Sequence, residues 1–284
     1  MAAARGAVVS RYSVNDLEQI LGAAQSVAAR AAEEIMAVYA GRFEVTDKAD
    51  STPVTAADLA SHRCLESGLD GLDSRALVLS EEGAPERFAR RRDARQIWLV
   101  DPLDGTREFV KRNGEFCINI ALVDDGEVVL GLLWHPPSGR SWGAVRGGNA
   151  WTEHDGRRTP IAVSASAVPP RAAASRSHGN AAVEAYMQAL GDVRRIPQGS
   201  AIKFARVASG DFDIYARLAS RCSEWDVAAG QCIVEVAGGV VADERGQRWR
   251  YNQRDTLIVQ NFLCFGDTSR NWHEALHGID LQPN

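Results

Sequence analysis

The sequence predicts a mixed fold, in which an α+β N-terminal half is followed by an α/β C-terminal half. An amphipathic segment that starts after Ser13 and stops near Gly41 has apolar residues at helical spacing. The turn sequence DDGE joins two apolar segments, 117–123 and 128–134, which is typical of a β-hairpin. Beyond about residue 170, predicted helices and strands alternate, and this alternation favours an α/β arrangement.

The remaining elements follow from turn residues and short apolar runs. A helix over 56–68 follows the sequence TPVT, and two apolar runs, 76–79 and 97–100, predict buried strands. A further strand is expected at 142–145. The second half is expected to contain three helices and one strand, at 181–190, 200–208, 226–237 and near Ile214.

A connection over 160–170 divides the chain into halves 1–160 and 161–284, which we expect to form one compact unit. The 284 residues are 45% hydrophobic, enough for a substantial core. Lys and Arg total 32 against 37 Asp and Glu, so the basic excess of a nucleic-acid-binding protein is missing. We therefore expect no nucleic acid polymer among the partners.

Cysteine usage and hydropathy predict a cytoplasmic protein. The five cysteines are an odd number without a C-x-x-C pair, which favours free thiols in a reducing compartment. The N-terminal sequence MAAARGAVVSRYS lacks the apolar core of a secretion signal, and no apolar run is long enough to span a membrane. Peripheral contact with the inner face of the cell membrane and the oligomeric state leave no signature in the sequence.

Acidic residues follow two of the predicted buried strands. Glu81 comes directly after the run ALVL, and Asp101 and Asp104 come directly after IWLV. Carboxylates at the ends of adjacent strands can converge, and strand ends are where open sheets bind ligands. Because clustered carboxylates repel one another unless cations compensate them, convergence would indicate a site for a hard cation such as Mg²⁺.

The sequence DPLDGT suits such a site. Pro102 stiffens the predicted turn, so that Asp101 and Asp104 can point at one place while the Leu103 carbonyl supplies a neutral ligand. Gly105 permits close backbone approach, and a short helix can start at Thr106 with N–H groups that suit a phosphate.

Simpler explanations exist for each motif taken alone. DPLDGT is equally well explained as an acidic turn with a helix cap. Asp226 in WDVAAG is better explained as an ordinary cap of a small-residue helix beside a packed Trp225. The combination of these motifs with Glu81 nevertheless favours a metal site.

Four segments resemble the inositol monophosphatase family of phosphatases. They are KADSTPVTAAD at 48–58, LSEE at 79–82, WLVDPLDGTREF at 98–109 and WDVAAG at 225–230. Within that family the chain looks most like the CysQ-type 3'(2'),5'-bisphosphate nucleotidases. The distinguishing segments are KRNGEF at 111–116, SRSH at 175–178, GSAIKF at 199–204 and YAR at 215–217.

The resemblance implies a layered αβαβα sandwich and a Mg²⁺-dependent, lithium-sensitive phosphatase. Its substrate would be a small phosphorylated nucleotide. Such an enzyme removes the 3'-phosphate from adenosine 3',5'-bisphosphate, and from its sulfated relative, in sulfate assimilation. Water would attack the phosphate directly, without a covalent enzyme intermediate.

The resemblance also implies roles for individual residues. The metal ligands would be Glu81, Asp101, the Leu103 carbonyl, Asp104 and Asp226. Asp58 and Thr106, with Glu81 beside them, would position and deprotonate the attacking water. The substrate-binding set would comprise Leu103, Asp104, Gly105, Thr106, His178, Ser200, Lys203, Arg217 and Asp226.

Three points stay open at this stage. Relatives often carry GSSLKF where this chain has Ala201 and Ile202, so a hydroxyl contact to the substrate is in doubt. His178 can equally be a solvated loop residue, and Lys203 and Arg217 can be surface cations. The alternatives are hydrolysis of inositol monophosphate or fructose bisphosphate, and a non-catalytic regulatory protein that kept the metal site.

Overall fold

The computed structural model describes residues 10–47, 53–176 and 179–282 of the chain. The helices in these ranges are α1 (Val14–Ala40), α2 (Ala56–Asp70), α3 (Pro85–Arg90), α4 (Thr106–Val110), α5 (Ala181–Ala189), α6 (Ile202–Ala208), α7 (Glu224–Val236) and a 3₁₀ helix at Trp272–Leu276. The strands are β1 (Val45–Asp47), β2 (Pro53–Thr55), β3 (Leu77–Ser80), β4 (Gln96–Asp104), β5 (Cys117–Asp124), β6 (Glu127–His135), β7 (Arg140–Val145), β8 (Trp151–His154), β9 (Arg157–Pro160), β10 (Arg171–Ala174), β11 (Arg194–Pro197), β12 (Ile214–Arg217), β13 (Cys222–Ser223), β14 (Val240–Ala242), β15 (Ile258–Val259) and β16 (Phe262–Phe265).

Capping boxes fix the starts of the first two helices. The Ser13 hydroxyl accepts from the Asp16 N–H, and the Asp16 carboxylate accepts from the Ser13 N–H, so α1 begins where the sequence predicts. Thr55 and Asp58 form the same arrangement at the start of α2. The predicted boundaries of both helices are confirmed, except that α2 extends two residues beyond residue 68 to Asp70.

The first sheet has seven strands in the order β3-β4-β5-β6-β7-β8-β9. β3 and β4 are parallel, and each later pair is antiparallel. The hairpin predicted at DDGE joins β5 to β6, with positive φ angles of 52° at Asp125 and 81° at Gly126. Positive φ at both central residues is the geometry of a hairpin turn that follows the natural twist of the strands. Strands β8 and β9 were not predicted.

β4 corrects the prediction that DPLDGT is a turn following a strand that ends at residue 100. The strand continues to Asp104, and its pairing register with β5 shifts between Asp101 and Asp104. Pro102 has no N–H for the ladder, so the strand accommodates it at an irregularity rather than by ending.

The second sheet has five strands in the order β11-β10-β12-β16-β14. β10 pairs in parallel with β11 and β12, as expected for an α/β arrangement, while β16 is antiparallel to both of its neighbours. Helix α7 begins at Glu224, two residues before the predicted start, because Ser223 is the cap. Asp226 is not the N-cap residue, but it takes part in the capping box of α7, since its carboxylate accepts the Ser223 N–H at 2.7 Å.

Five layers stack in the order helix, sheet, helix, sheet, helix, which confirms the αβαβα sandwich. One face of the first sheet, including Val78, Trp98 and Val100, packs on α1 and α2. Its other face, including Leu79 and Leu99, packs on α6 and α7, which also contact the second sheet. Helix α5 and the 3₁₀ helix cover the outer face of that sheet. The chain's division into halves at residue 160 stays a prediction, since both halves contribute to the central core.

All five cysteines are free thiols, as predicted. In the part of the chain that the structure describes, no helix combines the length and apolar character that a membrane crossing requires.

Close packing of α7 on β6 generates a stability prediction. A Cβ atom added at Gly131 would overlap the Ala229 carbonyl oxygen and lie 2.9 Å from the Cys232 Cβ. We expect Gly131→Ala to lower the free energy of unfolding by about 1–3 kcal/mol, because backbone must shift to relieve the overlap. Urea unfolding measures this change.

The matched control is Gly22→Ala in α1, where an added Cβ would have nothing within 4 Å. We expect that change to raise the free energy of unfolding by about 1 kcal/mol or less, through helix propensity alone. Equal effects of the two substitutions would contradict the packing argument.

Candidate active site

Three aspartates from two elements meet at the carboxyl-end edge of the first sheet. Asp101 and Asp104 lie on β4, Asp226 lies in the first turn of α7, and each offers a carboxylate oxygen within 4.8 Å of the others. Glu81 follows β3, and its N–H donates to the Val100 carbonyl at 3.0 Å. Glu81 lines the same cavity as the three aspartates. The structure therefore brings the three aspartates together, and Glu81 lies close enough to raise the pKa of Asp101.

Local structure explains why these side chains meet. Because β3 and β4 are parallel, their carboxyl ends lie at one edge of the sheet. The irregularity in β4 lets the Asp101 carboxylate accept the Leu103 N–H at 3.0 Å. The irregularity itself is held from α2, where the buried Ser61 hydroxyl donates to the Pro102 carbonyl at 2.8 Å.

The electrostatics of this cluster are unfavourable without a counter-charge. Burial raises the pKa of Asp101 well above its usual value, and Glu81, Asp104 and Asp226 add repulsion. Burial, together with repulsion from Asp104 and Glu81, likewise raises the pKa of Asp226 to about 7. Crowded oxygen donors of this kind suit a hard divalent cation, which would remove the repulsion.

A second pair of residues lies beside the cluster. The Thr106 hydroxyl is 3.1 Å from Asp58 Oδ1 and 3.3 Å from the Leu103 carbonyl oxygen. The other Asp58 oxygen accepts the Thr55 N–H at 2.8 Å and the Thr55 hydroxyl at 2.7 Å. Burial raises the pKa of Asp58, against the lowering effect of these hydrogen bonds. The structure thus brings Asp58 and Thr106 together, as the sequence predicts.

Gly105 and Thr106 line the cavity at the start of α4. Gly105 has a φ of 95°, and a Cβ there would lie 3.0 Å from the Glu115 carbonyl oxygen and 3.3 Å from Ser200 Cβ. Only glycine suits this left-handed, crowded position.

The predicted cations line the same cavity as the carboxylates. Lys203 is 5% exposed, and its ammonium donates to the Ser200 carbonyl at 2.7 Å. Burial lowers the pKa of Lys203 to about 8, although Asp104 raises it. Arg217 donates to the Arg221 carbonyl at 2.7 Å, and its buried Nε has no partner among the described residues. Lys203 is therefore not a surface cation, and the half-buried Arg217 lines the cavity with it.

The cavity that these residues line has a volume of about 360 Å³. It is lined by the predicted residues Leu103 and Ser200 and also by Arg107, Tyr215 and Arg221. Arg107 directly follows DGT and could have been found from the sequence, whereas Arg221 carries no sequence signal that marks it. His178 lies outside the described residues.

The turn before α6 makes a contact that the sequence analysis missed. The N–H of Ala201 donates to the Asp104 carboxylate. A backbone group supplies this contact, so no sequence signal could have shown it. Ala201, which replaces a serine that relatives often carry, therefore still contributes to the site.

Residues 16–279 match the inositol monophosphatase family, and the chain belongs to that family. The 3'(2'),5'-bisphosphate nucleotidase CysQ of Escherichia coli K12 is 41% identical over 238 residues, which are 83% of this chain and 95% of that protein. The crystal structure of CysQ from Bacteroides thetaiotaomicron is 32% identical, covers 90% of this chain and 98% of its own, and superposes with a TM-score of 0.76. An inositol monophosphatase from Anabaena shares the fold at 24% identity, with coverages of 94% and 98% and a TM-score of 0.72.

The Ser61 hydrogen bond generates a stability prediction. We expect Ser61→Ala to lower the free energy of unfolding by about 1 kcal/mol, because a buried carbonyl in the β4 irregularity loses its donor. Ser26→Ala is the control, since the exposed Ser26 hydroxyl bonds only within α1, to the Gly22 carbonyl. Denaturant unfolding of both variants measures the difference, and a Ser61 variant as stable as the wild type would contradict it.

Proposed function

We propose that this chain is a Mg²⁺-dependent phosphomonoesterase that removes the 3'-phosphate from adenosine 3',5'-bisphosphate and its sulfated relative. The observation that carries the proposal is one cavity lined both by the carboxylate cluster and by Lys203 and Arg217. A bisphosphate needs both: a cation site at the reacting ester and fixed positive charge for its second phosphate. The 41% identity to a CysQ nucleotidase supports the same substrate.

Asp101, Asp104 and Asp226, with Glu81 and the Leu103 carbonyl, would hold the metal. Their hard oxygen atoms fit Mg²⁺, and a bound cation would relieve the repulsion among the buried carboxylates. When bound, the ion supplies charge stabilisation for the phosphate and makes water a better nucleophile near neutral pH.

Asp58 and Thr106 would handle the proton of the attacking water. The Thr106 hydroxyl donates to Asp58, which leaves an oxygen lone pair of Thr106 to accept a hydrogen bond from water. As the proton of the water passes to Thr106, the proton of Thr106 would pass to the Asp58 carboxylate. Water then attacks phosphorus directly, the bond between phosphorus and the ribose 3'-oxygen breaks, and the 3'-oxygen takes a proton from solvent water. The products are inorganic phosphate and the nucleoside 5'-phosphate.

Gly105 and Thr106 would contact the reacting phosphate, with Leu103, Asp104 and Asp226 nearby. Arg217 would pair with the second phosphate, since a guanidinium matches phosphate oxygens in a bidentate manner. Lys203 adds positive charge to the site without contacting the phosphate directly, because its ammonium already donates to backbone carbonyls. Ser200 and His178 are the remaining proposed contacts to the nucleotide.

A role in sulfate assimilation, sensitivity to lithium and a cytoplasmic location belong to the same proposal. The five free thiols suit a reducing compartment.

A substrate panel tests the proposed function. With Mg²⁺, we expect kcat/KM for adenosine 3',5'-bisphosphate to exceed that for inositol 1-phosphate by on the order of ten- to a hundredfold, because Arg217 gains a charged hydrogen bond. Phosphate release from these two esters and from fructose 1,6-bisphosphate measures the preference.

Omitting Mg²⁺ and adding a chelator is the control and should abolish release from all three esters. Preference for the inositol ester would contradict the nucleotide substrate. Absence of turnover on every ester would favour a regulatory binding protein.

Substitution of a carboxylate in the cluster tests the chemistry. We expect Asp104→Asn to lower kcat by about a thousandfold or more, because a charged ligand to the ion is worth several kcal/mol in the transition state. The amide oxygen can still accept the Ala201 N–H, so the circular dichroism spectrum should be unchanged. Asp155→Asn, at an exposed hairpin turn, is the matched control. Wild-type turnover in the Asp104 variant would contradict the assignment.

A further inference from the structure

Glu115 connects three of the segments that distinguish this chain's branch of the family. It lies in KRNGEF, and its Oε2 accepts the N–H of Gly199 in GSAIKF at 2.7 Å. The same carboxylate accepts two hydrogen bonds from Arg176 in SRSH, at 2.6 and 2.8 Å. The proposed reaction assigns no role to this residue, and it does not line the active-site cavity.

The turn that Glu115 holds has little freedom of its own. Ser200 has a φ of 55°, which is unfavourable for serine and must be imposed by surrounding contacts. A Cβ at Gly199 would lie 2.8 Å from Glu108 Cγ and 3.0 Å from Glu115 Cβ, so this backbone sits tightly against both glutamates.

This turn places several groups that face the substrate. Its Ser200 carbonyl accepts the Lys203 ammonium, and its Ala201 N–H donates to Asp104. Displacement of the turn would therefore move Lys203 relative to the carboxylate cluster.

Arg176 forms the outer part of the connection. Its side chain is 43% exposed and that of Glu115 is 18% exposed, so the pair lies at the protein surface. The adjacent residue Ser175 lines the cavity. Burial raises the pKa of Glu115, but the hydrogen bonds from Arg176 and Gly199 lower it overall, so the carboxylate is ionised at neutral pH. The bidentate pair thereby ties the cavity edge near Ser175 to the Gly199 turn.

We propose that Glu115 is a positioning residue that sets the preference for substrates with a second phosphate. The inference rests on the proposed nucleotidase function and deepens it. Glu115 acts by fixing the Gly199 turn and the Ser175 edge, and thus the spacing between Lys203 and the carboxylate cluster. Lys203 adds its charge to the contact between Arg217 and the second phosphate across this spacing, whereas the attack on the first phosphate depends mainly on residues of β4 and α2.

Kinetics with a pair of matched substrates test the inference. We expect Glu115→Ala to raise KM for adenosine 3',5'-bisphosphate on the order of tenfold, the loss typical of a charge-assisted hydrogen bond. KM for adenosine 3'-phosphate, which lacks the second phosphate, should change less than about twofold, within the scatter of surface substitutions. Glu115→Gln retains an acceptor for the Gly199 N–H and should show a smaller rise.

Arg176→Ala is a second test that does not depend on a buried group. We expect it to raise the same KM, and we expect Glu115→Ala combined with Arg176→Ala to add little beyond the Glu115 change, because the two act as a unit. Glu153→Ala is the matched control: Glu153 is 25% exposed and pairs with Arg158 on strands β8 and β9. It should leave both KM values unchanged.

The outcomes separate this inference from the proposed function. Suppose that the wild type cleaves the bisphosphate, but that the Glu115 and Arg176 variants show equal rises in KM for the bisphosphate and for adenosine 3'-phosphate, or no rise, as in Glu153→Ala. The positioning role of Glu115 is then wrong, and the proposed nucleotidase function stands. If the wild type does not cleave the bisphosphate, the proposed function fails and this inference fails with it. Should Glu115→Ala not fold, the Arg176 and Glu115→Gln variants decide the outcome.

Discussion

Repulsion among buried carboxylates is the constraint on which the rest of the site depends. Asp101, Asp104 and Asp226 lie within 4.8 Å of one another, and burial penalises their ionised forms. A fold holds such an arrangement only if backbone structure fixes each group. Here the parallel β3–β4 pair, the irregularity in β4 and the capping box of α7 supply that fixation. The clustered carboxylates thus lower the stability of this edge of the sheet unless a counter-charge is bound.

Lys203 and Arg217 are the positively charged counterpart of this cluster. Lys203 is buried and its ammonium is held by backbone carbonyls, while Arg217 keeps a buried nitrogen without a hydrogen-bond partner among the described residues. Burial of both cations costs free energy, and the nearby carboxylates offset part of it. The cavity is therefore lined by groups of both charges, and such a charge distribution can orient a charged ligand.

The sequence predicts much of this fold because its signals are local. Ser13 with Asp16 and the DDGE turn define elements through contacts within a few residues, and the structure confirms them. The edge strand Arg194–Pro197 was missed because its charged sequence has no strand pattern, and it forms only by pairing with β10. The approach of Glu81 to Asp101 and Asp104 could be predicted, since β3 and β4 are adjacent. The Ala201 N–H contact could not, because backbone donors are the same in every residue.

The central helical layer has a consequence for how the chain folds during synthesis. Strands β3 to β7 have all been synthesised once Val145 has left the ribosome. One face of their sheet is covered by α6 and α7, and α7 ends only at Val236. In the interval, an apolar surface that includes Leu79, Leu99 and Ala121 has no native partner. Nascent chains of this protein therefore pass through a period of exposure to aggregation, and chaperones that bind apolar surface would act during it.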